Sequence, residues 1–266
     1  MTPLDHAKAA EALLEAERTR RQIGLLSLKY PEIGLDDAYA IQNAIYNQKL
    51  EQGRHVIGWK IGLTSKAMQY ALNIDIPDSG ILFDDMMFEN GGRVPAGRFI
   101  QPRIEVEIAF VMKSELGGEN VTREDVLAAT DYVCPAIEIL DTRILRQDPE
   151  TGQTRKVFDT ISDNAANAGI VLGDERHDPN AVDLRWVGAI CSRNGEVEET
   201  GLGAGVLNDP VESVVWLARR MAQYDQKIEA GHVILAGSFI RPVECPSGTE
   251  ITADFDAFGS VEVKFD

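Results

Sequence analysis

Nowhere in its 266 residues does the chain hold a run of about 18 apolar side chains, the length that crosses a bilayer. The opening Met1-Thr-Pro-Leu-Asp-His lacks the basic and apolar regions of a signal peptide, so the expected location is the cytoplasm. Cysteine is scarce. The three present, Cys134, Cys191 and Cys245, are far apart and form no Cys-x-x-Cys spacing, which argues against a disulfide framework and a zinc site. None of the four histidines, His6, His55, His177 and His232, has paired ligand spacing, and they read as structural or exposed. No Gly-x-Ser-x-Gly elbow is present, which weakens a serine hydrolase reading. Positive charge is short, with 26 Lys and Arg against 43 Asp and Glu and a formal net charge of -17. Nucleic acid and anionic membrane are therefore not expected partners, and an anionic substrate needs locally placed positive charge. We find no internal repeat, low-complexity tract or linker.

What the chain does contain is a spaced acidic triplet. Glu105 and Glu107 stand in Arg103-Ile-Glu-Val-Glu-Ile-Ala-Phe110, and Glu138 follows in Cys134-Pro-Ala-Ile-Glu-Ile-Leu-Asp141. A strand alternates its faces, so Glu105 and Glu107 share one side while Ile104, Val106 and Ile108 share the other. Two adjacent carboxylates repel unless a proton or cation intervenes, and a third from another apolar strand points to a divalent cation. Oxygen-only ligands suit magnesium or manganese and leave coordination positions open for water or an oxygen-rich substrate. The competing reading is a solvated outer strand face.

Composition, 44% hydrophobic, supports one large domain or a main domain with a small appendage. Helical spacing runs from about residue 3 to residue 50, read as two helices joined at Tyr30-Pro31. From Val56 onward, short apolar runs alternate with Gly, Pro, Asp and Asn, which predicts a β-rich body over 56–266 after an N-terminal helical segment over 1–55. Asn194-Gly195 signals a type I′ hairpin, and Val211 to Tyr224 a helix behind Asn208-Asp-Pro.

Gly58-Trp-Lys-Ile-Gly-Leu-Thr-Ser-Lys66 sets Lys60 in an apolar strand end bracketed by glycine. Such a lysine can lose its proton and act as acid or base, stay charged and bind a carboxylate, or simply pack its stem while the ammonium reaches water. Lys156-Val-Phe-Asp-Thr-Ile-Ser-Asp-Asn-Ala-Ala-Asn-Ala-Gly169 reads as a mobile loop entering a site wall, or as a solvated connection. Gly201-Leu-Gly-Ala-Gly205 lacks the endings of a P-loop or a Rossmann fingerprint, leaving a tight turn or amides facing a small carboxylate.

Together, the lysine motif, Asp78-Ser-Gly-Ile-Leu-Phe-Asp-Asp85, Glu105-Val-Glu107, Glu138 and the segment from Lys156 to Gly169 resemble the hydratase and decarboxylase branch of the fumarylacetoacetate hydrolase superfamily, from about residue 20 to the C-terminus. The resemblance implies an α+β fold with a mixed, barrel-like β-roll core, a homo-oligomer, and a magnesium or manganese ion on Glu105, Glu107 and Glu138. It also implies water addition to a small anionic 2-oxo diacid, 2-oxohept-4-ene-1,7-dioate, in aromatic-compound catabolism. Hydration of 2-hydroxypenta-2,4-dienoate, decarboxylation of a 2-oxo diacid, and a noncatalytic partner of a decarboxylase are the alternatives. On this reading Lys60 and Asp78 handle protons or orient a carboxylate, in either assignment. Ser238, Ala204 and Gly205 hold the C1 carboxylate, and Ser162, Asn164 and Asn167 line the lid. Arg241 meets the distal carboxylate, with Arg143 or Arg155 in its place as alternatives.

Overall fold

The structure is a computed structural model, and it describes residues 1–66, 69–70 and 76–266. Three helices come first: α1 (Pro3–Thr19), α2 (Leu26–Lys29) and α3 (Leu35–Glu51). Thr2 caps α1 through a reciprocal bond pair with Asp5, and at the start of α3 the Gly34 amide donates to Asp37. The expected pair of helices thus gains a short third, α2, just before the Pro31 turn. Leu13, Leu26, Ile41 and Ile45 bury their side chains where the three meet.

The rest of the described chain builds two sheets. The larger has eight strands: β1 (Val56–Gly62), β2 (Asp78–Phe83), β3 (Met87–Phe88), β5 (Arg103–Met112), β6 (Thr130–Leu140), β7 (Asn167–Leu172), β10 (Val233–Leu235) and β11 (Val243–Glu244). Its order is β2-β1-β10-β5-β6-β7-β3, with β11 pairing the start of β5. Pairing is mixed, since β1 with β10 and β3 with β7 run parallel while the other ladders are antiparallel. The smaller sheet orders β4 (Arg93–Val94), β13 (Ser260–Phe265), β12 (Glu250–Asp254), β8 (Gly188–Arg193) and β9 (Glu196–Leu202). Asn194 and Gly195, with φ of 54° and 84°, join β8 to β9 as the type I′ signal predicts.

Alternation on β5 and β6 divides the interior. Ile104, Val106, Ile108, Phe110, Ile137 and Ile139 point into the main core, which also takes side chains of the second sheet and of α6 (Pro210–Ala222). Ala109, Cys134, Ala136 and Ile170 form a smaller core on the opposite face. That opposite face carries the acidic triplet. The short helix α4 (Arg123–Ala129), capped by Thr122 and Asp125, was not anticipated, although Thr-x-x-Asp before an apolar turn is its signal.

One expectation is corrected here. The segment expected as a mobile loop is instead a buried helix, α5 (Val157–Ser162), then a tight turn over Asn164–Ala166, then strand β7. Its small and amide-bearing residues serve close packing: Ser162, Asp163 and Asn167 are fully buried. All three cysteines are buried free thiols. Among the described residues, no helix is long and apolar enough to cross a membrane.

Candidate metal centre and active site

The β5–β6 ladder places Glu105 directly across from Glu138, with Glu107 one same-face step further along β5 opposite Ala136. Directly opposed strand residues bring their Cβ atoms close, so three carboxylates converge by register alone. Carboxylate oxygens of all three lie within 4.8 Å of one another. Glu107 and Glu138 are fully buried, whereas Glu105 retains a partly exposed edge. The Gly237 amide donates to Glu107 Oε2 at 2.7 Å. The other Glu107 oxygen and both Glu138 oxygens are buried without a hydrogen-bond partner among the described residues.

Burial and mutual repulsion push these carboxyls up. Glu105 is raised to about 8, by desolvation first and then by the Glu138 charge. Glu107 is raised well above the ordinary glutamate range, by desolvation and then by Glu138 and Glu105. Glu138 is also raised by desolvation, against the opposing pull of Lys60. Carboxylates in such a site stay ionised only when a cation compensates them. The donor set, all hard oxygens with buried lone pairs aimed at one another, fits a divalent cation of the magnesium type.

Lys60 on β1 is 3% exposed, and its Nζ lies 3.3 Å from Glu138 Oε1, an ion-pair distance without hydrogen-bond alignment. Desolvation opposes its charge, but Glu138, Asp78, Glu105 and Glu107 outweigh burial and raise the ammonium above the ordinary lysine value. A bound dication would cancel part of that field. Asp78 opens β2 opposite Gly62, with its Oδ1 buried and unpartnered among the described residues. Desolvation raises its carboxyl, while Lys60 and the Gly62 amide oppose the rise. A lysine ammonium thus stands beside a carboxyl whose affinity for a proton burial increases.

Glycines make this proximity possible. A Cβ at Gly62 would lie 2.2 Å from Asp78 Oδ1 and 3.1 Å from Lys60 Nζ. At Gly80, opposite Lys60, a Cβ would meet the Asn164 carbonyl at 2.6 Å and the Lys60 stem at 3.1 Å. At Gly237, where φ is +123°, it would strike Thr64 Oγ1 at 2.3 Å. The glycine bracket around Lys60 was legible in the sequence, but the close approaches it permits and the role of Thr64 were not; glycines at fixed places in a strand pattern are the signal that finds such close approaches.

The remaining candidates are dispersed. The Asn164 side chain clamps β2, accepting from the Ile81 amide at 2.8 Å and donating to its carbonyl at 2.9 Å. Ser162 Oγ and both amide atoms of Asn167 are buried without partners among the described residues. Asn167 also lines a void of about 20 Å³ with Lys49, Asp85 and Arg143, room for a water. The Ala204 amide donates to the Arg185 carbonyl, and Ala204 and Gly205 are exposed in a turn. Ser238 Oγ donates to the Ile240 carbonyl at 2.8 Å and accepts the Ile240 amide.

The three arginines differ sharply. Arg241 has its side chain 80% exposed and pairs with Glu199 on β9. Arg143 is buried and wholly engaged, with Nε donating to Asp163 Oδ1 at 2.5 Å and Nη2 to the Asp163 carbonyl at 2.6 Å. Arg155 is half-buried, keeps an Nη1 that is shielded from solvent and unpartnered among the described residues, and its charge is a small opposing influence on the raised Asp78 carboxyl.

A mixed sheet presenting three convergent carboxylates beside a buried lysine and aspartate offers an all-oxygen seat that a divalent cation could occupy, and this chain belongs to the hydratase and decarboxylase branch of the fumarylacetoacetate hydrolase superfamily. It is 52% identical over 260 residues to 2-oxo-hept-4-ene-1,7-dioate hydratase of Escherichia coli, covering 98% of this chain and 97% of that one. Its fold matches 4-oxalocrotonate decarboxylase from Pseudomonas putida G7, solved with magnesium and adipate, at a TM-score of 0.93 and 33% identity over 100% and 99% of the two chains. Fumarylpyruvate hydrolase from Pseudomonas aeruginosa shares the fold alone, at a TM-score of 0.57 and 12% identity over 79% and 89%. No family model matches the chain.

Proposed function

We propose that the protein is a divalent-metal-dependent hydratase converting 2-oxohept-4-ene-1,7-dioate to 4-hydroxy-2-oxoheptanedioate in aromatic-compound catabolism. The carrying observation is the buried carboxylate triad beside Lys60 and Asp78, taken with the 52% identity to the hydratase of that substrate. Glu105, Glu107 and Glu138 would hold magnesium or manganese, which when bound supplies Lewis acidity to the 2-oxo group. The protein's own residues then move protons. A proton leaves C3 and another arrives at C5, which shifts the double bond into conjugation with the 2-oxo group. Water then adds its oxygen at C4 and a proton returns to C3. Asp78, whose carboxyl burial raises, is the proton carrier in this reading, and the Lys60 ammonium orients the substrate C1 carboxylate and stabilises negative charge as it develops.

A diacid brings a second carboxylate that needs a cation. Arg155 takes this role in place of Arg241, because its Nη1 is unpartnered among the described residues and its charge reaches Asp78, whereas Arg241 is largely exposed and paired with Glu199 and Arg143 is already engaged. Ser162, with its free buried hydroxyl, remains in the substrate wall. Cytoplasmic residence and a homo-oligomeric state belong to the same proposal. The exposed Trp186, Ile190, Val197 and Leu202, on or beside the second sheet, are apolar surface that association would cover.

The test is NMR and ultraviolet observation of purified protein with 2-oxohept-4-ene-1,7-dioate, with magnesium or with a chelator, beside a carbon dioxide trap. A magnesium-dependent C4 carbinol without carbon dioxide is expected. Released carbon dioxide would favour the second reading, a decarboxylase, which the close structural match to 4-oxalocrotonate decarboxylase supports.

A further inference from the structure

Behind the two strands that carry Lys60 and Asp78 lies a cavity of about 440 Å³, within the usual range for a small-molecule site. Its walls come from α3, the adjacent strands β1 and β2, and the C-terminal end of α6. The cavity shares no lining residue with the carboxylate triad. Its strand wall is nevertheless continuous with the catalytic pair: Trp59 precedes Lys60, and Ser79 follows Asp78.

The buried lining atoms that lack a partner among the described residues are both donors, while the Asp36 carboxylate on the same wall is exposed to solvent. Trp59 Nε1 and Arg220 Nη2 are both buried without hydrogen-bond partners among the described residues. Such a donor is costly to bury unpaired, the more so when it is charged, and a ligand that accepts from it relieves that cost. The Arg220 guanidinium lies 5.0 Å from the ring centres of both Tyr39 and Tyr224. Burial pushes the Tyr39 phenol up to about 12, with the Asp78 carboxylate adding to the rise, so that group stays protonated. Tyr224, one of the two rings beside Arg220, is 53% exposed. Tyr46, Trp59, Ile81 and Met221 supply the apolar part of the wall. Lone donors, one cation and aromatic faces together match an acceptor-bearing anion on a flat apolar body.

We propose that this cavity is a second ligand site, taking a small aryl carboxylate whose carboxylate meets Arg220 and Trp59 while its ring packs among Tyr46, Ile81 and Met221. A ligand there braces β1 and β2 from the face opposite Lys60 and Asp78. Binding stands on the cavity alone. The consequence for turnover rests on the proton-handling role proposed for Lys60 and Asp78.

The experiment uses the full chain with magnesium, and 3-phenylpropanoate as probe with its neutral amide as control. Calorimetry follows binding, and the indole N–H resonance of Trp59, assigned with Trp59→Phe, reports where it occurs. Expected is saturable binding of one acid per chain that shifts the Trp59 resonance, is indifferent to adipate, survives Glu107→Gln, and weakens at least tenfold in Arg220→Gln and for the amide. Trp59→Phe, which removes the N–H together with part of the ring, should weaken binding several-fold and guards against an Arg220 variant that does not fold. With the acid bound, kcat should change while KM does not. Competition by adipate, or loss of binding in Glu107→Gln, would assign the acid to the active site and overturn the proposal. So would absence of binding at millimolar acid, or a Trp59 resonance that moves with protein concentration, which would mean that a second copy covers the cavity. Binding with an unchanged kcat would uphold the site and refute the link to Lys60 and Asp78.

Discussion

Gly62 shows how little room separates Lys60 from Asp78. The hydrogen it carries in place of a side chain occupies a gap between the carboxylate of Asp78 and the ammonium of Lys60 that a methyl would overfill, at 2.2 Å from one and 3.1 Å from the other. Its φ does not require glycine, so the constraint comes from the neighbouring side chains and not from the backbone. Gly62→Ala should therefore displace Asp78 and Lys60 by about an ångström, which costs on the order of a hundredfold in kcat. Cation affinity should change little, because the triad hangs from β5 and β6 and touches Gly62 only through Lys60. Steady-state kinetics beside magnesium calorimetry separates the two. A variant that loses cation binding in proportion to turnover would show that Gly62 supports the metal centre instead.

Among the elements, the turn between α5 and β7 is the strained one. Asn164, Ala165 and Ala166 all have positive φ, 51°, 52° and 61°, a left-handed run that costs about 1 kcal/mol or more at each residue. What holds it is visible on both sides. Arg143, just beyond the strand that bears Glu138, grips Asp163, and Asn164 pairs with Ile81 on the strand that bears Asp78. The turn thus ties β6 to β2 across the site. Asn164→Ala leaves the Ile81 amide and carbonyl buried and unpaired, so denaturant unfolding should show a loss of about 2–4 kcal/mol. A loss below about 0.5 kcal/mol would mean that water replaces the side chain.

The clasp between α1 and α3 gives a second element-scale prediction. His6 Nε2 lies 2.8 Å from Asp37 Oδ1, and the Gly34 amide donates to Oδ2 at 3.1 Å. These contacts, the His6 hydrogen bond first, hold the Asp37 carboxyl at about 2, down from its ordinary 3.8. A depressed folded value contributes stability above pH 3.8 that is lost as pH falls toward 2. Asp37→Ala should accordingly cost about 1 kcal/mol near neutrality, with its difference from the parent shrinking between pH 4 and pH 2 in thermal unfolding. A difference that does not change with pH would remove ionisation from the account. The sequence made such elements unequally legible. Strand alternation put the three glutamates on one face, and Asn194-Gly195 and Asn208-Asp-Pro marked a hairpin and a helix start, because those signals are local. The segment from Lys156 to Gly169 misled, because small and amide-bearing residues look the same whether they meet water or pack tightly against Gly80 and Ile81. Likewise, nothing local separates Arg155, with its spare donor, from Arg143 and Arg241, whose partners Asp163 and Glu199 lie 20 and 42 residues away.

At the scale of the whole molecule two fields oppose each other. A formal net charge of -17 surrounds a site whose proposed substrate is itself a dianion. The attractive charges are few and local: Lys60, Arg155 and the cation that the triad would hold. Screening separates them by range. The Debye length falls from about 30 Å at 10 mM salt to about 8 Å at 150 mM, so added salt suppresses repulsion from the distant surface carboxylates while contacts inside the buried site persist. Raising ionic strength over that interval with a salt that does not chelate magnesium should therefore increase kcat/KM a few-fold for the diacid. The increase should be smaller for a monoanionic analogue, because long-range repulsion scales with substrate charge. A fall in kcat/KM for both acids would mean that the positive groups project their field beyond the mouth of the site and steer the anion in. The same comparison repeated on Arg155→Gln assigns the distal carboxylate. With its partner cation gone, the diacid should lose about tenfold or more in kcat/KM at every salt concentration while the monoanion loses little, whereas equal losses for the two acids would leave the second carboxylate to another residue.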